Sequence, residues 1–288
     1  MRNSIKHVLL AAYTNSVTWI RSPRVWFVLL IQCIMCYGGL YELGNSLHQF
    51  GWKITPVECF LFIASRQRLL TGTLFLVFIS EIPPQCGFHH FQWIRTTRSC
   101  WVYGCALYCY LMVLVMLLSL TVVSCLSFAG HLQWSTQWSD SLRVAKGIPE
   151  SMSIIPAVIR SRFSPVGAYF AFVLLTGSYW LLMALIVMLA AFAKNAQVGL
   201  SVTMVIQLLP WIVNTFTTLQ ESTWFPVYYS DIFMLKYATP GVETFWQCAV
   251  AFFMANALLV IMMRLCIRKS PLLLILHIDS GRNKHESH

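Results

Sequence analysis

The sequence predicts an all-α polytopic membrane protein with six transmembrane helices, and three observations lead to this expectation. Of its 288 residues, 58% are hydrophobic and only 10% are charged, whereas a soluble domain carries about 25% charged residues. Several apolar stretches are long enough to cross a bilayer as helices, which takes about 18 residues or more. Polar segments, several of them containing proline, separate these stretches. The competing class, a soluble helical protein, would leave much of this apolar surface in water.

Residues 1–24 are predicted to form an amphipathic helix that lies in the membrane interface. Apolar residues recur at helical spacing, and polar residues such as Lys6 and Asn15 fill much of the rest. Pro23 then breaks this helix, because its ring cannot continue the hydrogen-bond ladder. The apolar positions are Ile5, Val8, Leu9, Ala12, Tyr13, Val17 and Ile20.

Residues 25–265 are predicted to form a single transmembrane domain. Charged residues interrupt its second apolar region, so residues 56–65 are expected as a helix near the outer interface and residues 69–82 as the cytoplasmic part of that span. Arg66 and Arg68 should pair or extend to the interface, because a charge deep in lipid is costly. The other spans are predicted at residues 25–41, 101–128, 166–192, 198–218 and 244–265.

The basic residues predict that both termini are cytoplasmic. In this orientation 12 of the 20 Lys and Arg residues lie on the inner side, including those of a basic tail, residues 266–288. The loop 81–101 is then cytoplasmic, and the loop 129–165 and the connector 219–243 lie outside. Anionic lipid headgroups, rather than nucleic acid, explain the net charge of +10.

Motifs that carry chemistry are scarce. The sequence has no G-x-x-x-x-G-K-[ST] loop for nucleotide phosphates, no H-E-x-x-H and no G-x-S-x-G. Most of the ten cysteines fall in apolar stretches, so they are expected to pack rather than to form disulfides or bind metal. We therefore expect no enzyme and no metal site. Uphill transport would need an ion gradient or a partner protein, and the lack of Asp and Glu deep in the spans favours a partner.

The loop "EIPPQCGFHHFQWIRTTRSCW", residues 81–101, is predicted to dock a soluble partner on the cytoplasmic side. Its prolines end the second span, and its aromatic residues form a short helix that can lie against a protein surface. The arginines mark the inner interface, and a tryptophan anchors the third span. The alternative is an ordinary interfacial loop. The residues assigned to coupling are Glu81, Pro83, Pro84, Phe88, Phe91, Trp93, Arg95, Arg98 and Trp101.

Two further groups of residues have competing interpretations. His89 and His90, with Glu81, would be the centre of an intramembrane enzyme, but interfacial loop histidines are the simpler explanation. The fifth span carries a polar face that either lines a transport path or makes interhelical hydrogen bonds that hold the bundle. The residues of this face are Thr203, Gln207, Pro210, Asn214 and Thr217.

Three stretches of the sequence resemble the membrane subunit of bacterial ABC-2-type transporters. They are "ISEIPP…FQWIRTTRSCWVYGCALYCYLMVL", "ITPVECFLF" and "WSTQWSDSL". The N-terminal interface helix and the six-span plan are similar too. The similarity is to a branch of small exporter permeases, including those for phenol-soluble modulins and antimicrobial peptides. The chain departs from that branch in its many Cys and Trp residues and in the His89–His90 pair.

The resemblance implies a homodimeric permease in a bacterial plasma membrane, with two separate ABC ATPase subunits on its cytoplasmic loops. ATP and Mg²⁺ would sit on those subunits, and this chain would hold no cofactor. The first and fifth spans would border the path and the twin subunit, and re-entrant helices in the connector 219–243 would cap the path. The substrate would be hydrophobic or amphipathic, with a peptide preferred. The alternatives are a drug or lipid-linked exporter, an intramembrane enzyme, and a receptor or scaffold.

Overall fold

The computed structural model describes residues 2–50, 53–80, 82, 98–127, 129–139, 155, 157–193, 195–216, 225–233 and 244–269. Within these ranges the secondary structure is helical, apart from a single β-bridge between Ile54 and Leu132. The ten α-helices of this part of the chain are α1 (Arg2–Ile20), α2 (Pro23–Phe50), α3 (Pro56–Arg66), α4 (Arg68–Ile79), α5 (Arg98–Leu126), α6 (Ala157–Arg162), α7 (Pro165–Ala193), α8 (Ala196–Phe216), α9 (Pro226–Tyr229) and α10 (Thr244–Lys269).

Four of these helices, α5, α7, α8 and α10, are long and apolar enough to cross a membrane. The number rises to six if each of two bent pairs is one span: α1 with α2, bent by 68°, and α3 with α4, bent by 83°. In the described residues, the expectation of a helical protein with several helices long and apolar enough to cross a membrane is therefore confirmed. The six-span layout stays a prediction.

The helix α1 packs along the first half of α5 through two alanines and a tryptophan. Ala11, Ala12 and Trp19 are buried, whereas Leu9 and Tyr13 are more than half exposed. Of the apolar residues that the sequence identifies, Ala12 is buried and Val8 and Val17 are half-buried, and the others point away from the protein. Lipid is the environment that suits this face.

The contact between α1 and α5 depends on a glycine. A Cβ atom at Gly104 would lie 2.7 Å from Cβ of Ala11 and 3.1 Å from the carbonyl oxygen of Val8. Real Cβ atoms do not approach a neighbouring Cβ so closely, so the missing side chain is what lets the two backbones meet, as small residues do in membrane helix pairs.

We expect Gly104→Leu to separate α1 from α5 and to destabilise the protein by about 1–3 kcal/mol, the usual cost of overpacking. Gly38→Leu is the matched control, because no atom lies within 4 Å of a Cβ placed at Gly38 on α2. Thermal unfolding in detergent micelles compares the two variants. Equal melting temperatures would show that the close approach has no energetic role.

The helical structure of the second apolar region is interrupted at its charged residues. Between α3 and α4 only Gln67 is non-helical, and its side-chain Nε2 donates to the carbonyl of Met35 on α2 at 2.9 Å. The start of α3 is a capping box, in which Glu58 Oε2 accepts from the backbone N–H of Thr55 at 2.8 Å and the Thr55 hydroxyl accepts from the backbone N–H of Glu58. Hydrogen bonds therefore fix both ends of this short helix, and they hold the bend between α3 and α4.

The remaining helices surround α7, which packs against α5, α8 and α10. Only two residues separate α7 from α8. A Cβ at Gly199 would lie 2.7 Å from Cβ of Ala190, so these two helices also meet through a glycine. On the other side of α7, the Asn256 amide of α10 donates to the carbonyl of Ser178 at 3.0 Å.

The two ends of the bundle are built differently. At one end, the buried carboxylate of Glu58 also accepts from the backbone N–H of Ser139 at 2.7 Å, which ties the segment 129–139 to α3. At the other end, Trp101 packs against Phe192 with ring centroids 4.9 Å apart, and Trp101 is buried. Trp101 is one of the predicted coupling residues in the described part of the chain. It thus packs inside the helix bundle at this end.

Candidate functional site

A group of polar residues lies at the middle of the bundle. Tyr179 is the central residue of α7, fourteen residues and so about 21 Å from either end. Gln207 stands eleven residues after the first residue of α8 and nine before the last. We call the group the central polar cluster. Its members are Arg68, Thr71, Thr176, Tyr179, Gln207, Ser230 and Asp231.

An ion pair between the broken span and the connector forms the charged part of this cluster. Arg68, the first residue of α4, donates from Nη1 to Oδ2 of Asp231 at 3.1 Å. The Asp231 side chain is 2% exposed and that of Arg68 is 27% exposed. The sequence-based expectation that this arginine pairs is confirmed, although its partner is 163 residues away.

The contacts of Asp231 offset part of the cost of its burial. Burial raises the pKa of this carboxyl group above its ordinary value, and the Arg68 guanidinium and the backbone N–H of Phe233 act in the opposite direction. The N–H of Phe233 donates to Oδ1 at 2.9 Å. Both carboxylate oxygens of Asp231 therefore have a donor, as a buried charge requires.

The segment 225–233 enters the bundle rather than lying over its end. The Thr176 hydroxyl donates to the carbonyl of Ser230 at 2.8 Å, and Thr176 stands eleven residues along α7, about 16 Å from its first residue. Val227 and Ile232 are buried beside it. The Arg68 guanidinium also lies 5.5 Å from the ring centroid of Tyr228. A carbonyl bond, an ion pair and a cation–π contact thus hold this segment at depth.

A hydrogen bond between α7 and α8 forms the uncharged part of the cluster. The Tyr179 hydroxyl donates to Oε1 of Gln207 at 2.9 Å, and both residues are buried. The amide Nε2 of Gln207 has no acceptor among the described residues. It lies so close to Gly72 of α4 that a Cβ there would overlap it. The absence of a side chain at Gly72 therefore makes room for this amide.

The cluster lines a small cavity between α4, α7, α8 and the segment 225–233. The volume of this cavity is about 10 Å³, roughly what one buried water needs. Phe172, Trp180 and Val227 close the apolar part of its wall. In this conformation the cavity fits one water or one oxygen-bearing group.

The structure places the predicted residues of the fifth span as follows. Thr203 and Gln207 are 0% and 3% exposed and face the protein interior. Pro210 is inside the helix and buried. Asn214 lies near the end of α8, and Thr217 lies outside the described residues. The face is therefore turned towards α4 and α7, and its role as a path or dimer contact stays a prediction.

Most of the predicted coupling residues lie outside the described part of the chain, so their role stays a prediction as well. Arg98 begins α5, and Trp101 is the buried residue described above. The others, outside the described residues, are Glu81, Pro83, Pro84, Phe88, Phe91, Trp93 and Arg95, together with His89 and His90.

Sequence reasoning missed Thr176, Tyr179 and Asp231. Thr176 and Tyr179 are single polar residues in a very apolar span, and such residues carry no local signal of what they contact. Asp231 was visible as an acidic residue in an aromatic connector, but nothing nearby points to Arg68. The nine cysteines of the described segments are free thiols, and those segments contain no cluster of three or more metal-ligating side chains.

The fold and the cluster of the described residues define a class, a helical protein with several helices long and apolar enough to cross a membrane and a charged polar site inside the bundle. No family model, no curated protein and no solved structure matches it.

Proposed function

We propose that the chain is the transmembrane permease subunit of an ATP-binding-cassette exporter of the ABC-2 type. It works as a homodimer with two separate ATPase subunits in a bacterial plasma membrane, with both termini in the cytoplasm. It moves a hydrophobic or amphipathic substrate, preferably a peptide, out of the cell. The motif resemblance described above supports the family, and the central polar cluster supports a transport role.

The observation that carries the proposal is the polar cluster at a helix break in the middle of the bundle. Transporters build their substrate sites near the midplane from interrupted helices, whose freed backbone and polar side chains are tolerated only where they line a cavity. Here the break at Gln67 places Arg68 beside the cavity. A charge at such a depth is costly and marks a functional site by default.

The inserted segment 225–233 fits the re-entrant element that this family resemblance implies. It reaches Thr176 in the middle half of α7 and is held there by Asp231. We infer that it caps the path on the outer side. Opening the path then requires the Arg68–Asp231 pair to separate or to move as one unit.

The buried position of the polar face on α8 favours a path lining over a dimer contact. Thr203 and Gln207 are enclosed within one protomer, so they offer little surface to a second copy. The opposite face of α8 is apolar and exposed, with Val198, Val202 and Val205. Lipid or the twin subunit would meet that face, and the cavity side would meet the substrate.

We expect the purified chain alone to hydrolyse no ATP, because its sequence has no phosphate-binding loop. ATP hydrolysis and ATP-dependent transport should appear when the ATPase that copurifies from native membranes is added. Chain repurified without that ATPase is the control for contaminating enzymes. ATP turnover by the isolated chain would sink the assignment to a permease subunit.

A second candidate is an ion-coupled carrier, and the buried carboxylate of Asp231 favours it. Such carriers keep a carboxylate near the midplane to bind the coupling ion. Proteoliposomes containing the chain without any ATPase separate the two. Substrate movement driven by a pH gradient alone would favour the carrier, and movement only with ATPase and ATP would favour the exporter.

A further inference from the structure

The wall of the cavity in the central polar cluster carries no net charge. Its two charged groups, the Arg68 guanidinium and the Asp231 carboxylate, form an ion pair at 3.1 Å, and the other polar residues of the wall are neutral. An ion of either sign would meet the like charge of one partner as well as the opposite charge of the other. Because burying a further charge without a counter-ion is costly, this wall favours a neutral ligand.

Both members of the ion pair keep hydrogen-bonding capacity. An arginine carries five N–H donors, and a carboxylate offers about four lone-pair positions. Arg68 donates one N–H to Asp231, and no further acceptor for it is found among the described residues. Asp231 accepts two bonds, one from Arg68 and one from the backbone N–H of Phe233. The pair therefore has unused donors and unused acceptor positions, which a ligand that both donates and accepts would match.

The neutral part of the wall offers further acceptor positions. The Tyr179 hydroxyl donates its proton to Gln207, and the Thr71 hydroxyl donates to backbone carbonyls three and four residues before it. The oxygen atoms of both hydroxyls can still accept a hydrogen bond. Among the described residues, the fully enclosed side-chain atoms without a partner include none from this cluster. Each polar side-chain atom of the cluster therefore either has a protein partner or borders a space that a water molecule can reach.

We propose that this cavity binds one water molecule, which accepts from the Arg68 guanidinium and donates to the Asp231 carboxylate and to the hydroxyl oxygen of Tyr179. Water is neutral, and it both donates and accepts. A buried water needs two to four polar partners and about 10–15 Å³, and the cavity supplies the partners and about 10 Å³. The water thus joins the ion pair of the broken span to the hydrogen bond between α7 and α8.

The bound water supplies the ion pair with hydration inside the bundle. Separating two charges in a dry site leaves both of them unsolvated, which is the costly step for a buried ion pair. A water that stays with Arg68 or Asp231 solvates the separated charge when the segment 225–233 moves. This role in motion rests on the proposed function, in which that segment caps the path. The presence of the water depends only on the cavity and its wall.

The test is hydroxyl-radical labelling of the purified chain in phosphatidylcholine nanodiscs, read by mass spectrometry. X-rays produce the radicals from water, and they react close to where they form, so a buried side chain is modified only beside a water. Tyr179 and Trp180 in the cavity wall are compared with Tyr108 and Trp19, which are as deeply buried but lie outside it. We expect the two wall residues to be modified several-fold faster. Equal rates within either matched pair would overturn the proposal.

A variant that fills the cavity assigns the labelling to this water. Ala64→Val adds two methyl groups to the wall, so modification of Tyr179 should fall to the rate of Tyr108. Ala171→Val is the matched control, because Ala171 is buried on α7 outside the cavity wall, and Tyr179 should keep its wild-type rate there. Fast modification of Tyr179 in Ala64→Val, with Tyr108 still protected, would overturn the proposal. The wild-type comparison decides it even if this variant does not fold, and neither measurement involves ATPase or transport, so the proposed function can fail independently.

Discussion

Replacing Asp231 with alanine is expected to lower the free energy of unfolding by about 3 kcal/mol, the lower end of the range for breaking a buried ion pair. The change leaves Arg68 without its counter-ion and the backbone N–H of Phe233 without its acceptor. The lower end applies because Arg68 is 27% exposed and water solvates part of its charge. Unfolding in mixed micelles gives the free energy.

The loss should be specific to the segment 225–233. Hydrogen exchange of its backbone amides should rise in Asp231→Ala, while exchange in α5 and α10 changes little. Asp231→Asn keeps the size of the side chain and the acceptor for Phe233, so its effect should be smaller. Comparing the Asn variant with the Ala variant thus separates the effect of the lost charge from that of the lost side-chain volume.

A double-mutant cycle supplies the control for this prediction. Arg68→Met combined with Asp231→Leu removes both charges, and replacing a buried ion pair by apolar residues is often close to neutral. We therefore expect the double variant to be more stable than Asp231→Leu alone. Strictly additive effects of the two sites would mean that the pair does not couple the connector to the broken span.

Replacing Phe91 and Trp93 with alanine is expected to reduce ATP-dependent transport about tenfold or more, because aromatic residues dominate the energy of protein docking sites. Both residues belong to the proposed coupling loop, residues 81–101. The helix bundle should fold as before, since the loop contributes no side chain to the central polar cluster within the described residues. Transport in proteoliposomes and copurification of the ATPase are the two readouts.

The matched control for this loop is Trp134→Ala. Trp134 is 84% exposed in the segment 129–139, at the other end of the bundle from Trp101. It tests the loss of an exposed tryptophan where no ATPase is expected, so transport and copurification should stay at the wild-type level. If the loop variant also kept both, the loop would not be the docking site.

The sequence was sufficient for the long helices because their signals are local. The predicted spans 101–128 and 166–192 differ from α5 and α7 by at most three residues at either end. The break at Gln67 was visible too, because three polar residues in succession cannot continue an apolar span. The predicted span 25–41 ends early, since α2 continues to Phe50 through residues that are polar but tolerated in a helix.

Only part of the central polar cluster could be predicted from the sequence. Gln207 could be identified because polar residues recur on one face of an apolar helix, and the requirement of Arg68 for a partner follows from its charge. The identity of that partner could not be derived, because Asp231 comes from a connector whose insertion depends on tertiary contacts. The close packing at Gly104 and Gly72 could not be predicted for the same reason, because it depends on the position of a neighbouring helix.

The side of the membrane that residues 81–101 face is the most direct test of an ATP-coupled permease. Single cysteines are placed at Gln92 and at Ser135 in a cysteine-free background and treated with a membrane-impermeant thiol reagent, in intact cells and in inside-out vesicles. The proposal predicts that the cysteine at Gln92 reacts only in the vesicles and that at Ser135 only in the cells. Labelling of the Gln92 position from outside intact cells would contradict it, because no cytoplasmic ATPase could then dock on this loop.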